Sequence, residues 1–167
     1  MKSAERLVAT TPAECSWILE RFPSLTTTGF YKYGEYHLEN DRRANAGLPP
    51  KVYKPPVPIT CPDALRQIAI VRYFIRENRA DSSTRLHISY ELKYEVRRWA
   101  VGEYISNGAV IAALVLEGCN VSRFGANAFC WLSLPPELHA RLSGVTRAAI
   151  AYMDTAVGYL HASRFDS

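Results

Sequence analysis

Long hydrophobic runs are missing from this sequence. The longest uninterrupted one, Ala109 to Leu116, spans eight residues, against the ~20 a helix needs to cross a bilayer. A membrane-spanning role is therefore not expected, and neither is a membrane partner. The opening residues MKSAERLVATTPAE interleave charge with short apolar stretches, so they lack the apolar core of a secretory leader. The expected compartment is the cytoplasm. Cysteine is sparse as well: Cys15, Cys61, Cys119 and Cys130 are far apart, with no CxxC pair among them. The spacing matches no common zinc pattern, and in the reducing compartment expected here the thiols should behave as small buried hydrophobes. No metal, cofactor or catalytic residue is indicated. The triplet Asn120-Val121-Ser122 has the form of a glycosylation acceptor, which is empty of meaning without secretion. Ser106-Asn107-Gly108 opens a helix whose free amides can hold a phosphate or a carboxylate, but the glycine pattern and lysine of a P-loop are absent and an ordinary N-cap is the expected role.

What is present describes one folded domain over residues 1–167. That length buries a real core without staples, and 48% hydrophobic with 22% charged residues lies near the globular average. The net charge of +4 is compatible with an acidic partner without requiring one.

Helix signals recur along the chain. Thr11, Pro12 and Glu14 spell an N-cap, a first-turn proline and a capping box for a helix over 11–22. Residues 24–61 read as an irregular arm rich in tyrosine and proline. A short strand is possible within Phe30 to His37, and residues 48–58 with their prolines read as an extended polyproline-like segment. Pro62 and Asp63 open a second helix over 62–79, with Ala64, Ile68, Val71 and Ile75 inward and Arg66, Arg72, Arg76 and Arg79 outward. A third helix over 86–101 places Ile88, Leu92, Val96 and Trp99 on one narrow apolar face. Tyr90, Lys93, Tyr94 and Arg97 fall on the opposite side, and Glu95 lies three residues before Arg98 for a local pair.

Ser106 or Asn107 caps a fourth helix over 107–117, apolar on every side and closed by Gly118. A helix like that is the core of the domain. Residues 119–134 read as a β-hairpin turning at Gly125-Ala126-Asn127. A short helix follows Pro135-Pro136, and a last one is expected over 146–162. The fold class is therefore α+β: mainly helical, five or six helices around one central β-hairpin, with residues 84–133 as its packed heart.

Two helices followed by a hairpin resemble the skeleton of a winged helix. In that architecture the helix before the hairpin enters the major groove and needs polar side chains. Ala109 to Leu116 has none, so it cannot read base edges and the usual winged-helix mode is excluded. The remaining binding candidates are Tyr90, Lys93, Tyr94 and Arg97, Arg123 at the hairpin, and Tyr53 and Lys54 on the arm, because tyrosine and arginine dominate interface energetics. Arg72, Arg76 and Arg79 are candidate phosphate contacts. Cys130 with His139 is the best nucleophile–base pair the sequence offers, which makes a small cysteine-dependent enzyme the third reading.

The stretches Ser89-Tyr90-Glu91-Leu92-Lys93-Tyr94, Tyr104 to Ala113 and Ala126-Asn127-Ala128-Phe129 together resemble segments of small phage and mobile-element proteins that have no assigned activity. The resemblance covers about a quarter of the chain. It implies no catalytic residue, and it implies a protein that works by binding a host macromolecule. The expectation is a non-catalytic accessory protein that holds a host protein, as inhibitor or adaptor. A nucleic-acid binder using the same basic faces is the alternative, and the oligomeric state is left open.

Overall fold

The computed structural model describes residues 9–30, 33–51, 56–81 and 84–142, with side chains from residue 39 onward in the second of these segments. Tyr53, Lys54 and the helix expected over 146–162 lie outside the described residues. Among the described residues the architecture is α+β and mainly helical. The elements are α1 (Pro12–Arg21), β1 (Leu25–Thr26), β2 (Gly29–Phe30), α2 (Tyr33–Asn45), α3 (Pro62–Glu77), β3 (Arg85–Ile88), α4 (Ser89–Trp99), α5 (Asn107–Leu116), β4 (Asn120–Phe124) and β5 (Asn127–Leu132). A further helix, α6, is described over residues 136–142.

The local chemistry explains most boundaries. In α1 the capping box closes both ways: the Glu14 amide donates to Thr11 Oγ1 at 3.2 Å, and the Thr11 amide donates to Glu14 Oε2 at 2.9 Å. α5 begins at Ser106, whose hydroxyl accepts from the Ala109 amide at 3.3 Å. It ends in a Schellman turn, with the Gly118 amide on Val115 O at 3.1 Å and the Cys119 amide on Leu114 O at 2.9 Å. Gly118 can take the left-handed φ of 72° this turn requires because it has no Cβ.

α5 is buried from Asn107 through Val115, as its all-apolar body demands, and α1, α3, α4 and the strands β2, β4 and β5 pack around it. It therefore presents nothing to a DNA groove. Ile68, Val71, Phe74 and Ile75 of α3 and Leu92 and Val96 of α4 complete the core.

Three expectations need correction. First, residues 33–45 are helical rather than irregular; the helix carries so few apolar residues that no periodic stripe announces it. Second, the chain before α4 is a strand. β3 pairs antiparallel with β5 through Arg85–Leu132, Leu86–Trp131, His87–Cys130 and Ile88–Phe129, giving a three-stranded sheet of order β3-β5-β4. Ile88, four residues before Leu92, fits a helical stripe, but its alternation with Leu86 serves the sheet instead. Third, Trp99 is 42% exposed. It leans its ring against Tyr73 and Phe74, with centroids at 5.6 Å and 5.5 Å, instead of entering the core.

The small β1–β2 hairpin positions the candidate site. Its turn inserts between the start of α5 and the β4–β5 turn. The Gly108 amide donates to Thr27 O at 2.9 Å and the Phe30 amide to Ala126 O at 3.0 Å. Only glycine allows so close an approach: a Cβ on Gly108 would lie 1.7 Å from Thr26 O, and one on Gly29 would lie 2.0 Å from Ala126 O.

Candidate functional site

On the outer side of α4, the side chains grouped by helical spacing do meet. The Lys93 ammonium lies 4.0 Å from the ring centre of Tyr90 and 4.6 Å from that of Tyr94. The two rings meet edge to face at 5.1 Å, and the Tyr94 hydroxyl donates to the Tyr90 hydroxyl at 2.8 Å. That bond raises the Tyr94 pKa. One turn on, the Arg97 guanidinium sits 5.7 Å from the ring centre of Tyr104, which is 66% exposed. These are cation–π distances, so the rings hold the cations in place without neutralising them.

No carboxylate among the described residues pairs with Lys93 or Arg97. Burial, with a smaller contribution from the Arg97 charge, pulls the Lys93 pKa below its ordinary value. Other arginines of the described residues do have carboxylate partners. Arg66 is paired with Glu103, while Glu95 holds Arg98 at 2.7 Å and Arg141 at 3.1 Å.

The cations face a two-lobed groove. One lobe, of about 390 Å3, lies where α4, the β1–β2 turn, the start of α5 and the β4–β5 turn converge. Lys93, Thr27, Tyr104 and Asn107 are among its walls, and no acidic residue lines it. The other lobe, about 580 Å3, runs past Tyr94, Arg97, Arg98 and Glu103, and shares Tyr104 with the first. Asn107 is anchored there through Nδ2, which donates to Ala126 O and to Asn127 Oδ1, each at 3.1 Å. Its buried Oδ1 has no partner.

Tyr104 and Thr27 were not singled out from sequence as binding residues, whereas Asn107 belongs to the helix start weighed there as an anion-holding set of amides. Tyr104 reads there as a connector and Asn107 as a cap, and the hairpin that brings Thr27 to them has no long-range signature. An exposed tyrosine beside a helix start is the one signal that pointed this way.

The other predicted contacts lie elsewhere. Arg72, Arg76 and Arg79 close on Glu117 at the end of α5. Arg72 Nε donates to Oε1 at 2.8 Å, Arg76 Nε to Oε2 at 2.8 Å, Arg76 Nη2 to Oε1 at 2.7 Å, and Arg79 Nη2 to the Glu117 carbonyl at 3.0 Å. Arg72 also donates to Glu14 Oε1 at 2.9 Å, and its side chain is 8% exposed. Burial opposes ionisation of Glu117, but the bonds from Arg76 and Arg72 outweigh it and hold its pKa below the usual carboxylate range. These arginines build an internal clamp and leave little for phosphate. Arg123 reaches back over the hairpin, 5.3 Å from the Phe30 ring centre and 3.4 Å from Ser24 Oγ, and is not part of the groove.

Cys130 is fully buried, and its thiol donates to the His87 carbonyl at 3.5 Å. Burial raises its pKa far above the ordinary thiol value, the reverse of what a nucleophilic thiolate needs. His139 is turned to a different task. Its Nε2 accepts from the Leu134 amide at 3.2 Å, so its proton sits on Nδ1, which faces His87 Nε2 at 2.7 Å. The two rings stack at 4.8 Å, both nearly sealed from solvent. His87 is left with a buried, unpartnered Nδ1–H.

Comparison with protein-family models, with curated proteins and with solved structures found no match to this chain.

Proposed function

We propose that this is a non-catalytic binding protein that holds a macromolecular partner, a protein with an acidic contact segment, on the outer face of α4 together with Tyr104. One observation carries the reading. Lys93 and Arg97 are cations without carboxylate partners among the described residues, held over tyrosine rings that are themselves exposed. The cation–π contacts stabilise the chain only modestly, by about 0.5–1 kcal/mol each, and leave both charges available to an outside acid. That arrangement suits an acidic partner, because tyrosine and arginine at the centre of a patch supply most of the binding energy in protein interfaces. Such a surface fits an inhibitor or adaptor of a host protein.

A nucleic-acid reading has a specific observation behind it as well, since cations interleaved with aromatic rings are what single strands use. Glu103 in the second lobe weighs against it, because a phosphate strand following the groove would meet its negative charge. Capture of the partner should be lost in a Lys93→Glu/Arg97→Glu double variant with unchanged unfolding behaviour. A shift with single-stranded oligonucleotide at low salt, fading steeply as salt rises, would replace the protein reading with the nucleic-acid one.

A further inference from the structure

Resting on that reading, we infer that the lobe between α4, the β1–β2 turn and the start of α5 is a carboxylate pocket. It would receive one acidic side chain of the bound protein, with Lys93 as its counter-ion. The first ground is charge. The lobe holds a partly buried ammonium with no carboxylate among its walls, so a bound anion would supply the compensation the chain itself omits. The second is neutral donors. Thr27 brings a hydroxyl, and Asn107 the first amide of α5; neither takes a hydrogen-bond partner among the described residues. A carboxylate can accept two or more hydrogen bonds while facing an ammonium, and the positive end of α5 favours the same sign.

The third ground is rigidity. The walls come from four elements pinned to one another by the Gly108–Thr27, Phe30–Ala126 and Asn107–Ala126 hydrogen bonds, so little order remains to be imposed on binding. The size, about 390 Å3, lies within the ~300–1,000 Å3 typical of specific pockets. A protein carboxylate is favoured over a nucleic-acid phosphate by what surrounds the lobe. A strand of phosphates needs a row of cations. Here Lys93 is the one cation lining its pocket, and the adjoining lobe sets the Glu103 carboxylate beside Arg97 and Arg98, in the path a strand of phosphates would follow.

The test is an amide NMR titration of the full chain at low salt with three probes: a capped tetraglutamate peptide, inorganic phosphate and a short oligothymidylate. The peptide is expected to give saturable shifts at Thr27, Tyr104 and Asn107. Lys93→Gln should weaken it about tenfold, the loss of one charge-assisted hydrogen bond. Lys93→Arg should retain most of the binding, and Lys51→Gln, at a residue that lines neither lobe, should change nothing. Shifts that do not saturate, or that survive Lys93→Gln, would overturn the pocket. Tighter binding of phosphate or of the oligonucleotide at the same amides would overturn the carboxylate assignment. If partner capture is lost in the double charge reversal while the peptide never binds the lobe, the proposed function stands and this pocket falls. If the peptide binds through Lys93 but partner capture ignores the charge reversal, the opposite holds.

Discussion

Glu117 leaves the end of α5 with a carboxylate buried between Arg72 and Arg76, and the clamp shows how the same residue type can mean different things. In the sequence, Arg72, Arg76 and Arg79 are indistinguishable from Arg97, all off the apolar stripe of a helix. What separates them is a glutamate 45 residues away from Arg72 in the chain, and no periodicity carries that information. Removing it should be costly. Glu117→Ala strands the buried Arg72 charge with only Glu14, and a loss of about 3 kcal/mol is expected in urea unfolding. A change within experimental error would mean the arginines are solvated after all. The histidine pair makes a second prediction at this scale. Burial, reinforced by His139 and Arg85, depresses the His87 pKa to about 4, whereas the unfolded chain titrates near ~6.5. The unfolded state therefore binds more protons across that interval. Stability is full above about pH 6.5 and falls as the pH drops toward about 4, by on the order of 3 kcal/mol. The hydrogen bonds agree with this sign. Any added proton sets N–H against N–H, either between the rings or at the Leu134 amide. Urea midpoints at about pH 7 and about pH 5 check it, above the range where Glu117 and Glu14 begin to matter. His87→Leu should flatten the difference; an equal slope in that variant would move its origin elsewhere.

Elements were legible in proportion to how local their signals are. The capping box of α1, the Ser106 cap and the Gly118 stop of α5 lie within a few residues of what they specify, and the structure places them as the spacing predicts. α4 declared its two faces through 3.6-residue periodicity, so Tyr90, Lys93, Tyr94 and Arg97 could be grouped before any coordinates. β3 escaped because its four residues run into α4 with no turn between, and its partner β5 lies some forty residues downstream. The β1–β2 hairpin escaped because two-residue strands leave no alternation to detect. Its fit against α5 rests on backbone contacts through Gly108 that only glycine permits. Gly108→Ala is therefore expected to destabilise the domain by about 2 kcal/mol or more, although alanine is the better helix former by about 1 kcal/mol. Differential scanning calorimetry reads the sign. A stabilised variant would show that the hairpin does not seat on α5.

At the scale of the whole molecule, the net charge of +4 is less informative than its distribution. Arg66, Arg72, Arg76, Arg98 and Arg141 are paired with Glu14, Glu95, Glu103 and Glu117, whereas Lys93 and Arg97 stand over tyrosine rings with no carboxylate paired to either among the described residues. The fold itself, an apolar helix wrapped by amphipathic ones and a small sheet, was visible in the sequence because burial follows hydrophobic pattern. The groove was only half visible, because two of its four walls are loops brought together by tertiary contacts. The most direct measurement is hydrogen exchange of the full chain with and without its captured partner. Slowed exchange is expected across residues 89–99, at Tyr104 and Asn107 and at the turn through Thr27, with α3 and β4 unchanged. Protection confined to α3 or β4, with α4 exchanging as in the free chain, would contradict the account.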